Sequence, residues 1–435
     1  MALHADTIFA LSSGRGRAGV AVVRVSGPAA GMALQTLAGS ELPAPRLATL
    51  RKIRRRSGEP IDDGLALWFP EPASFTGEDV VEFHVHGGRA VVAAVQAALG
   101  EIPGCRPAEA GEFTRRAVEN GKFDLTQAEA LADLINSETE AQRRQALRQY
   151  DGALTSLYGG WRQSLLRAAA WLEAAIDFSD EEIPGDTISI AKRQVAEVVK
   201  EIRSHLNDAR RGEILREGFY LTVIGPPNSG KSSLINVLAR RDVAIVSETA
   251  GTTRDVLEVH IDLSGCPVIL ADTAGLRESV DRIEAEGVRR ALARAETADA
   301  VLLLLDATAP EAPLPSLPDA PTLTIWNKID AAAPPTDAVA ISVLTGAGMD
   351  ETLRRIGNIV SEQLDSAGAP TLTRDRHRHA LSQAAVALHR SLEATAPEII
   401  ADEIRIALRE LGRITGSVDV EELLDVIFRD FCIGK

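Results

Sequence analysis

Apolar residues recur along this chain with two different periods, and the switches between them divide it. In residues 1–120 the apolar runs are short. Val20-Ala21-Val22-Val23-Arg24-Val25 and Val80-Val81-Glu82-Phe83-His84-Val85 are bounded by Ser26-Gly27-Pro28 and His86-Gly87-Gly88, which predicts strands broken by turns. In the second run, alternation puts Val80 and Glu82 on one face and Val81 and Phe83 on the other. Arg24 interrupts the first run in the same way. Val91 to Leu99 is rich in Ala and Val and stops at Gly100, the pattern of a short helix. From 121 to 215 the period lengthens: Leu125, Ala128, Leu131, Leu134 and Ile135 recur at helical spacing, as do Leu165, Ala168, Leu172 and Ala175. The segment 180–185 breaks this pattern as a bend. Strands and helices alternate over 216–366, and helical spacing returns over 367–435 with Leu381, Ala384, Ala385 and Leu388 on one face. A helical texture interrupted by a complete α/β unit predicts an insertion, because domain termini tend to lie close together. The expected fold class is α/β plus α: an N-terminal α+β domain over 1–120, a discontinuous helical domain over 121–215 and 367–435, and an inserted α/β domain over 216–366.

A length of 435 residues suits two to four domains. No apolar stretch approaches a membrane span, and no basic segment followed by an apolar core opens the chain, so neither a membrane anchor nor a signal peptide is expected. Cys105, Cys266 and Cys432 are too scattered for a disulfide framework, which fits a reducing, cytoplasmic setting. The net charge of −15 argues against a dedicated, strongly basic nucleic-acid binder. It leaves room for a local patch: Arg51-Lys52-Ile53-Arg54-Arg55-Arg56 is either a solvated face or an RNA-phosphate contact.

The chemistry concentrates in the inserted unit. The apolar run Phe219–Ile224 leads into Gly225-Pro226-Pro227-Asn228-Ser229-Gly230-Lys231-Ser232 and then a helical Ser233-Leu234-Ile235. This is a phosphate-binding loop in its strand–loop–helix context, and together with the guanine motif below it leads to the expectation of a Ras-like P-loop GTPase domain. Main-chain amides from Asn228, Ser229, Gly230 and Ser233 can wrap phosphates at the helix N-terminus. Lys231 reaches the β- and γ-phosphates, and Ser232 ligates Mg²⁺. Asp272-Thr273-Ala274-Gly275 ends another apolar strand. Its carboxylate can hold Mg²⁺ through water, and the Gly275 amide can sense the γ-phosphate. In Asn327-Lys328-Ile329-Asp330 the last carboxylate can accept both guanine N1–H and the 2-amino group, a donor pair that adenine lacks. Ser342-Val343-Leu344 would back the base, although Val343 stands where guanine-nucleotide proteins commonly carry Ala. The ordered motifs predict GTP.

Hydrolysis needs a different arrangement from Ras-like proteins, where a glutamine after the Asp-x-x-Gly motif orients water. Here that position is Leu276. Glu278, Asp281, Glu284 and Glu286 follow it, each either a water-positioning group or part of a solvated helix face. Asn228 is either a monovalent-cation ligand beside the phosphates or a loop residue bonded to its neighbours. In Ser247-Glu248-Thr249-Ala250-Gly251-Thr252-Thr253-Arg254-Asp255, Thr253 is the natural Mg²⁺ ligand of the first switch. A K⁺ here would supply the charge that an arginine finger supplies elsewhere, and Arg254 is the lesser alternative.

The chain resembles the tRNA modification GTPase family (the MnmE, or TrmE, type) along nearly its whole length. The likeness rests on Gly14-Arg15-Gly16-Arg17-Ala18-Gly19-Val20 running into Arg24-Val25-Ser26-Gly27, and on Ser74-Phe75-Thr76-Gly77-Glu78-Asp79. It extends through Gly111-Glu112-Phe113-Thr114-Arg115-Arg116-Ala117, Ala174-Ala175-Ile176-Asp177-Phe178, Gly251-Thr252-Thr253-Arg254-Asp255 and the terminal Phe431-Cys432-Ile433-Gly434-Lys435. The resemblance implies a homodimer formed through the N-terminal domain, with the GTPase domains meeting face to face. It implies a heterotetramer with a flavin-containing partner, and tRNA as the substrate. Together the two proteins would add an aminomethyl or carboxymethylaminomethyl group to C5 of the wobble uridine, with a tetrahydrofolate derivative supplying the one-carbon unit. By the same resemblance, K⁺ is held by Asn228, Ser247, Thr249 and Thr252, partly through carbonyls. Ser247 and Thr249 replace the Thr and Ile of other members, and carbonyl ligands tolerate either change. Glu284 becomes the water-orienting residue. The folate site falls on Arg24, Glu82, Lys122 and Lys435, where a cation and a carboxylate suit a glutamate tail and a pterin edge. Cys432 is either a chemical residue or a packed thiol.

Two other classes compete. A ribosome-assembly or RNA-binding switch would share the phosphate loop but leaves residues 1–120 and the Cys432 tail without a role. A GTP-dependent scaffold fits Leu276 but not Glu284 and Asn228. Turnover measurements separate the scaffold from an enzyme, and nucleoside analysis of tRNA from a deletion strain separates ribosome assembly from tRNA modification.

Overall fold

The structure, a computed structural model, describes residues 5–39, 41–177, 187–240, 258–272, 298–314, 317, 319–335, 339–364, 371–418, 424, 427–428, 431 and 434. The chain forms two compact units, Met1–Ala132 with Gly412–Lys435, and Asp133–Leu411.

The first unit is built on strands β1 (Thr7–Leu11), β2 (Ala18–Ser26), β3 (Thr49–Arg54), β4 (Pro60–Phe69), β5 (Val80–Gly87) and β6 (Cys105–Pro107), in the order β3-β4-β5-β2-β1-β6. Among the described residues of this sheet only the β1–β6 pairing is parallel. Alternation decides which face is covered. Val23, Val25, Val81, Phe83 and Val85 pack against Leu34 and Leu37 of helix α1 (Ala30–Ala38) and Val95 and Leu99 of helix α2 (Arg89–Gly100). The intervening Arg24, Glu82 and His84 therefore lie on the opposite face. The register places Arg24 directly across from Glu82. On that face Ile8 and Ala10 pack with Ala108, Phe113 and Phe75.

The C-terminal residues belong to this unit. Leu424 and Phe428 pack on Leu125 and Ala128, and the Ser12 hydroxyl donates to the Gly434 carbonyl at 2.7 Å. The helical spacing that begins near 121 thus starts inside the first unit, because Leu125 and Ala128 bury against the tail.

The second unit contains the long helices Glu140–Tyr150, Ala153–Asp177, Thr187–Leu206 and Asp375–Glu393. Leu154, Tyr158, Trp161, Leu165, Ala168 and Leu172 form the buried stripe of one, and Leu381, Ala384, Ala385 and Leu388 that of another. The same unit holds a second sheet of β7 (Phe219–Ile224), β8 (Glu258–Leu263), β9 (Cys266–Asp272), β10 (Ala300–Asp306), β11 (Thr322–Asn327) and β12 (Val339–Ala340). Its order is β12-β11-β10-β7-β9-β8, parallel except for the β8–β9 hairpin. Every residue of β10 is buried, as expected of a central parallel strand covered on both faces.

The segments that lead into and out of this sheet touch. A Cβ on Gly212 would lie 2.1 Å from the Leu372 carbonyl oxygen, so no larger residue fits there. Gln145 Nε2 donates to both the Gly212 carbonyl, at 3.3 Å, and Thr371 Oγ1, at 2.9 Å. Gln149 donates to the Thr371 carbonyl at 3.2 Å, and Gln142 to the Arg216 carbonyl at 3.1 Å. Neighbouring ends of this kind are what an inserted domain requires.

Candidate functional site

The carboxyl ends of the parallel strands gather the nucleotide motifs at one edge of the second sheet, where ligands of open α/β sheets bind. After β7 the chain turns through Gly225–Gly230 into a helix, Lys231–Leu238. Gly230 has φ +99°, and a Cβ there would lie 2.4 Å from Asn327 Nδ2, so close approach to the guanine motif demands glycine. Asn228 is exposed on left-handed backbone, φ +62°. Lys231 is nearly buried, its ammonium donating to the Gly225 and Pro226 carbonyls at 2.9 Å each. Ser229 is buried, while Ser232 and Ser233 are exposed on the first helical turn.

The strand register brings the other motifs beside this loop. Asp272 lies across from Val223, one residue before the end of β7. Asn327 Nδ2 donates to the Ser229 carbonyl at 2.8 Å, and Asn327 Oδ1 accepts from Val343 N–H at 3.1 Å. Ser342 Oγ donates to Asp330 Oδ1, so the Ser342 loop does reach the carboxylate that would read guanine. Val343 contributes through its main chain, which is why its departure from Ala leaves this contact intact. Thr253, Ser247, Thr249, Thr252, Thr273, Ala274, Gly275, Glu284, Cys432 and Lys435 lie outside the described residues, as do Arg254, Glu278, Asp281 and Glu286 and the side chain of Asp272.

One residue of this edge escaped the sequence reading. Asp306, at the end of β10 and directly across from Asn327, binds Lys328 Nζ at 2.5 Å through Oδ2 and accepts from Thr308 N–H and Oγ1–H through Oδ1. Burial alone would raise its pKa, but the hydrogen bonds from Lys328 and Thr308 hold it below the usual aspartate value. The available signal was a carboxylate closing the apolar run Val301–Leu305.

In the first unit, Arg24 and Glu82 meet: Nε and Nη2 of Arg24 donate to Glu82 Oε1 at 3.0 and 2.9 Å. His84 Nε2 sits 3.1 Å from the other carboxylate oxygen. The guanidinium lies 5.0 Å from the Phe75 ring centroid, within cation–π range. The Lys122 ammonium donates to the Pro72 carbonyl at 2.9 Å.

Sequence reasoning also missed an ionic network, centred on the buried Arg116 and Glu78, that joins motifs on which the resemblance rests. Arg116, 1% exposed, pairs with Asp6 at 2.9 Å, Glu112 at 3.0 Å and Glu78 at 3.3 Å. Ser26 Oγ donates to Glu78 at 2.7 Å, and Arg106 adds pairs to Asp6 and Glu112 at 2.6 Å each. The basic run lies on and just beyond the edge strand β3 with partial neutralisation: Lys52 faces Asp63 at 3.6 Å, and Arg55 faces Glu59 at 3.3 Å. No described helix is long and apolar enough to cross a membrane.

A family model described as the TrmE N-terminus of a GTP-binding protein matches residues 7–122, and one described as the MnmE helical domain matches residues 125–432. A tRNA modification GTPase MnmE from Paramagnetospirillum magneticum is 53% identical over 441 residues, covering 99% of this chain and 100% of its own length. Its namesake from Parvibaculum lavamentivorans is 54% identical over 443 residues, with the same coverage. That from Rhodospirillum rubrum is 51% identical over 453 residues and covers 99% of both chains. With its phosphate loop and guanine motif assembled at one sheet edge, the chain is a GTPase and belongs to the MnmE family of tRNA modification GTPases.

Proposed function

We propose that this chain is a K⁺-activated GTP hydrolase that works in tRNA modification with a flavin-containing partner. The pair would install a (carboxymethyl)aminomethyl group at C5 of the wobble uridine, using a one-carbon unit from a tetrahydrofolate derivative. The observation that carries the nucleotide part is the bridge from Ser229 through Asn327 to Val343, with Ser342 on Asp330. Full-length likeness to tRNA modification GTPases supports the RNA substrate. In this reading Ser232 and Thr253 bind Mg²⁺ directly and Asp272 through water. Asn228, Ser247, Thr249 and Thr252 hold K⁺, and the nucleotide is read by Asn327, Lys328 and Asp330. The protein acts as a cytoplasmic homodimer inside a heterotetramer. The four-segment division at 120, 215 and 366 accompanies this reading, supported by the contact of Gly212 with Leu372.

K⁺ activation is tested by turnover. GTP hydrolysis should be much faster in K⁺ than in Na⁺ at matched ionic strength, because the smaller ion fits the site poorly. Asn228→Ala should lose most of that K⁺ response while keeping GDP binding. Equal rates in the two salts would remove the cation from the mechanism.

The folate site would centre on the Arg24–Glu82 pair. A largely buried carboxylate needs donors, and a pterin offers paired N–H groups that suit it. Gly434 sits at the end of β1, held by Ser12, which supports Lys435 acting near this domain. Calorimetric titration with a reduced folate should show saturable binding in the wild type and weakened binding in Arg24→Ala and Glu82→Ala. Absent binding in the wild type, or wild-type affinity in both variants, overturns the assignment and leaves the GTPase reading untouched.

A further inference from the structure

The sheet edge that would read guanine contains an ion pair that the nucleotide motifs do not require. Lys328 takes left-handed backbone, φ +66°, which is disfavoured for a residue with a Cβ. Its carbonyl closes the following turn by accepting from Ala331 N–H at 2.9 Å. Asp330, the carboxylate that would select guanine, rides on that turn. Outside the turn three contacts hold it: Ile329 N–H donates to the Ile341 carbonyl at 3.2 Å, Ser342 Oγ donates to Asp330 Oδ1, and Lys328 Nζ reaches Asp306 Oδ2 at 2.5 Å.

Asp306 is well placed to serve as the anchor. It is 7% exposed and stands across from Asn327 in the β10–β11 register. Its other oxygen is tied down by the main chain and hydroxyl of Thr308, at 2.9 and 2.6 Å. A carboxylate locked on one side by its own chain gives a fixed point for the lysine on the other. Charge-assisted hydrogen bonds of this kind are shorter and stronger than neutral ones. The Ala307 N–H also donates to the Asn327 carbonyl at 2.9 Å, so β10 supports both halves of the Asn327–Asp330 segment.

We propose that Asp306 is a positioning residue for guanine recognition, which fixes the Lys328 turn so that Asp330 meets the base already oriented. This rests on the guanine reading given above and extends it to a residue outside the four nucleotide motifs. The Asp306 carboxylate is engaged by Lys328 and Thr308, so its loss acts through the turn, on affinity and base selectivity, not on the chemical step. Asp306→Asn keeps the shape and removes the charge that holds Lys328.

The experiment compares wild type, Asp306→Asn and Thr308→Val for binding of GDP and IDP, and for GTP hydrolysis. IDP lacks the 2-amino group that Asp330 would accept. Asp306→Asn should weaken GDP binding about tenfold, equivalent to about 1.4 kcal/mol, and should narrow the GDP-over-IDP preference. The GTP KM should rise while kcat at saturation stays within about twofold, since uniform binding is what has been removed. Thr308→Val should move all three quantities in the same direction by less. A variant that was merely less stable would lose binding sites and kcat together and keep its base preference. Unchanged or tighter GDP binding by Asp306→Asn overturns the proposal, as does an unchanged GDP-over-IDP ratio. Failure of the wild type to prefer GDP over ADP would instead overturn the guanine reading beneath it.

Discussion

Replacing Glu284 by Ala is expected to leave GTP binding intact and to slow its hydrolysis by about 10²–10⁴-fold, the range for losing a group that positions or deprotonates water. The expectation begins at Leu276, which stands where Ras-like proteins place a water-orienting glutamine. An apolar side chain cannot hold a water in line with the γ-phosphate. Glu278, Asp281, Glu284 and Glu286 follow within ten residues, and the resemblance to the tRNA modification GTPases singles out Glu284. A carboxylate suits the task because it accepts a hydrogen bond from the attacking water. K⁺ would answer the separate need for positive charge near the bridging oxygen. The measurement is single-turnover hydrolysis in K⁺, paired with titration of a fluorescent GTP analogue. Normal binding with slowed cleavage supports the role. Wild-type cleavage would return Glu284 to a solvated helix face and move attention to the other three acids.

The parts of the fold that were legible in the sequence are those in which one period dominates. Val81 and Phe83 turned to the helices and Glu82 away from them, as alternation required, and Leu381, Ala384, Ala385 and Leu388 are all buried. The phosphate loop was legible because its chemistry is local: strand, glycines, lysine and helix follow one another. What escaped is non-local. Arg116 and Glu78 are 38 residues apart and Arg116 and Asp6 are 110 apart, so no spacing rule connects them, although each lies in or near a motif that carried the resemblance. Gln145 and Gln149 are polar helix residues, yet both are 4% exposed, because their partners arrive from Gly212 and Thr371. Asp306 was hidden for a related reason: its lysine is contributed by the turn that follows the next strand. Polar residues that serve distant main chain or distant charge carry no periodic mark.

The ionic network around Arg116 should be the most stability-sensitive feature of the first unit, and Arg116→Met is expected to cost about 3–5 kcal/mol, the range for breaking a buried pair by removing one partner. The guanidinium is 1% exposed and is shared among three carboxylates. Methionine fills much of its volume, so the loss is electrostatic more than a cavity. Glu78, 5% exposed, then keeps the Ser26 hydroxyl at 2.7 Å and loses its only described cation. Asp6 and Glu112 fare better because Arg106 still reaches both. The double variant Glu78→Gln with Arg116→Met should therefore recover part of the loss, since it no longer buries that carboxylate without a partner. The pH response follows from the same groups. Burial would raise the pKa of Asp6 and of Glu112, but their bonds to Arg106, with Arg116 contributing, hold both below the ordinary 3.8 and 4.5. Their folded-state values lie below the unfolded ones, so their stabilisation is complete above the unfolded values and is lost as pH falls through the folded ones. Arg116→Met should flatten that acid response as well as lower stability at neutral pH. Urea unfolding read by hydrogen exchange of the strands Ala18–Ser26 and Val80–Gly87 reports on this unit alone. A midpoint equal to wild type, or a double variant no more stable than the single one, would show that the network is dispensable and that Glu78 finds its compensation elsewhere.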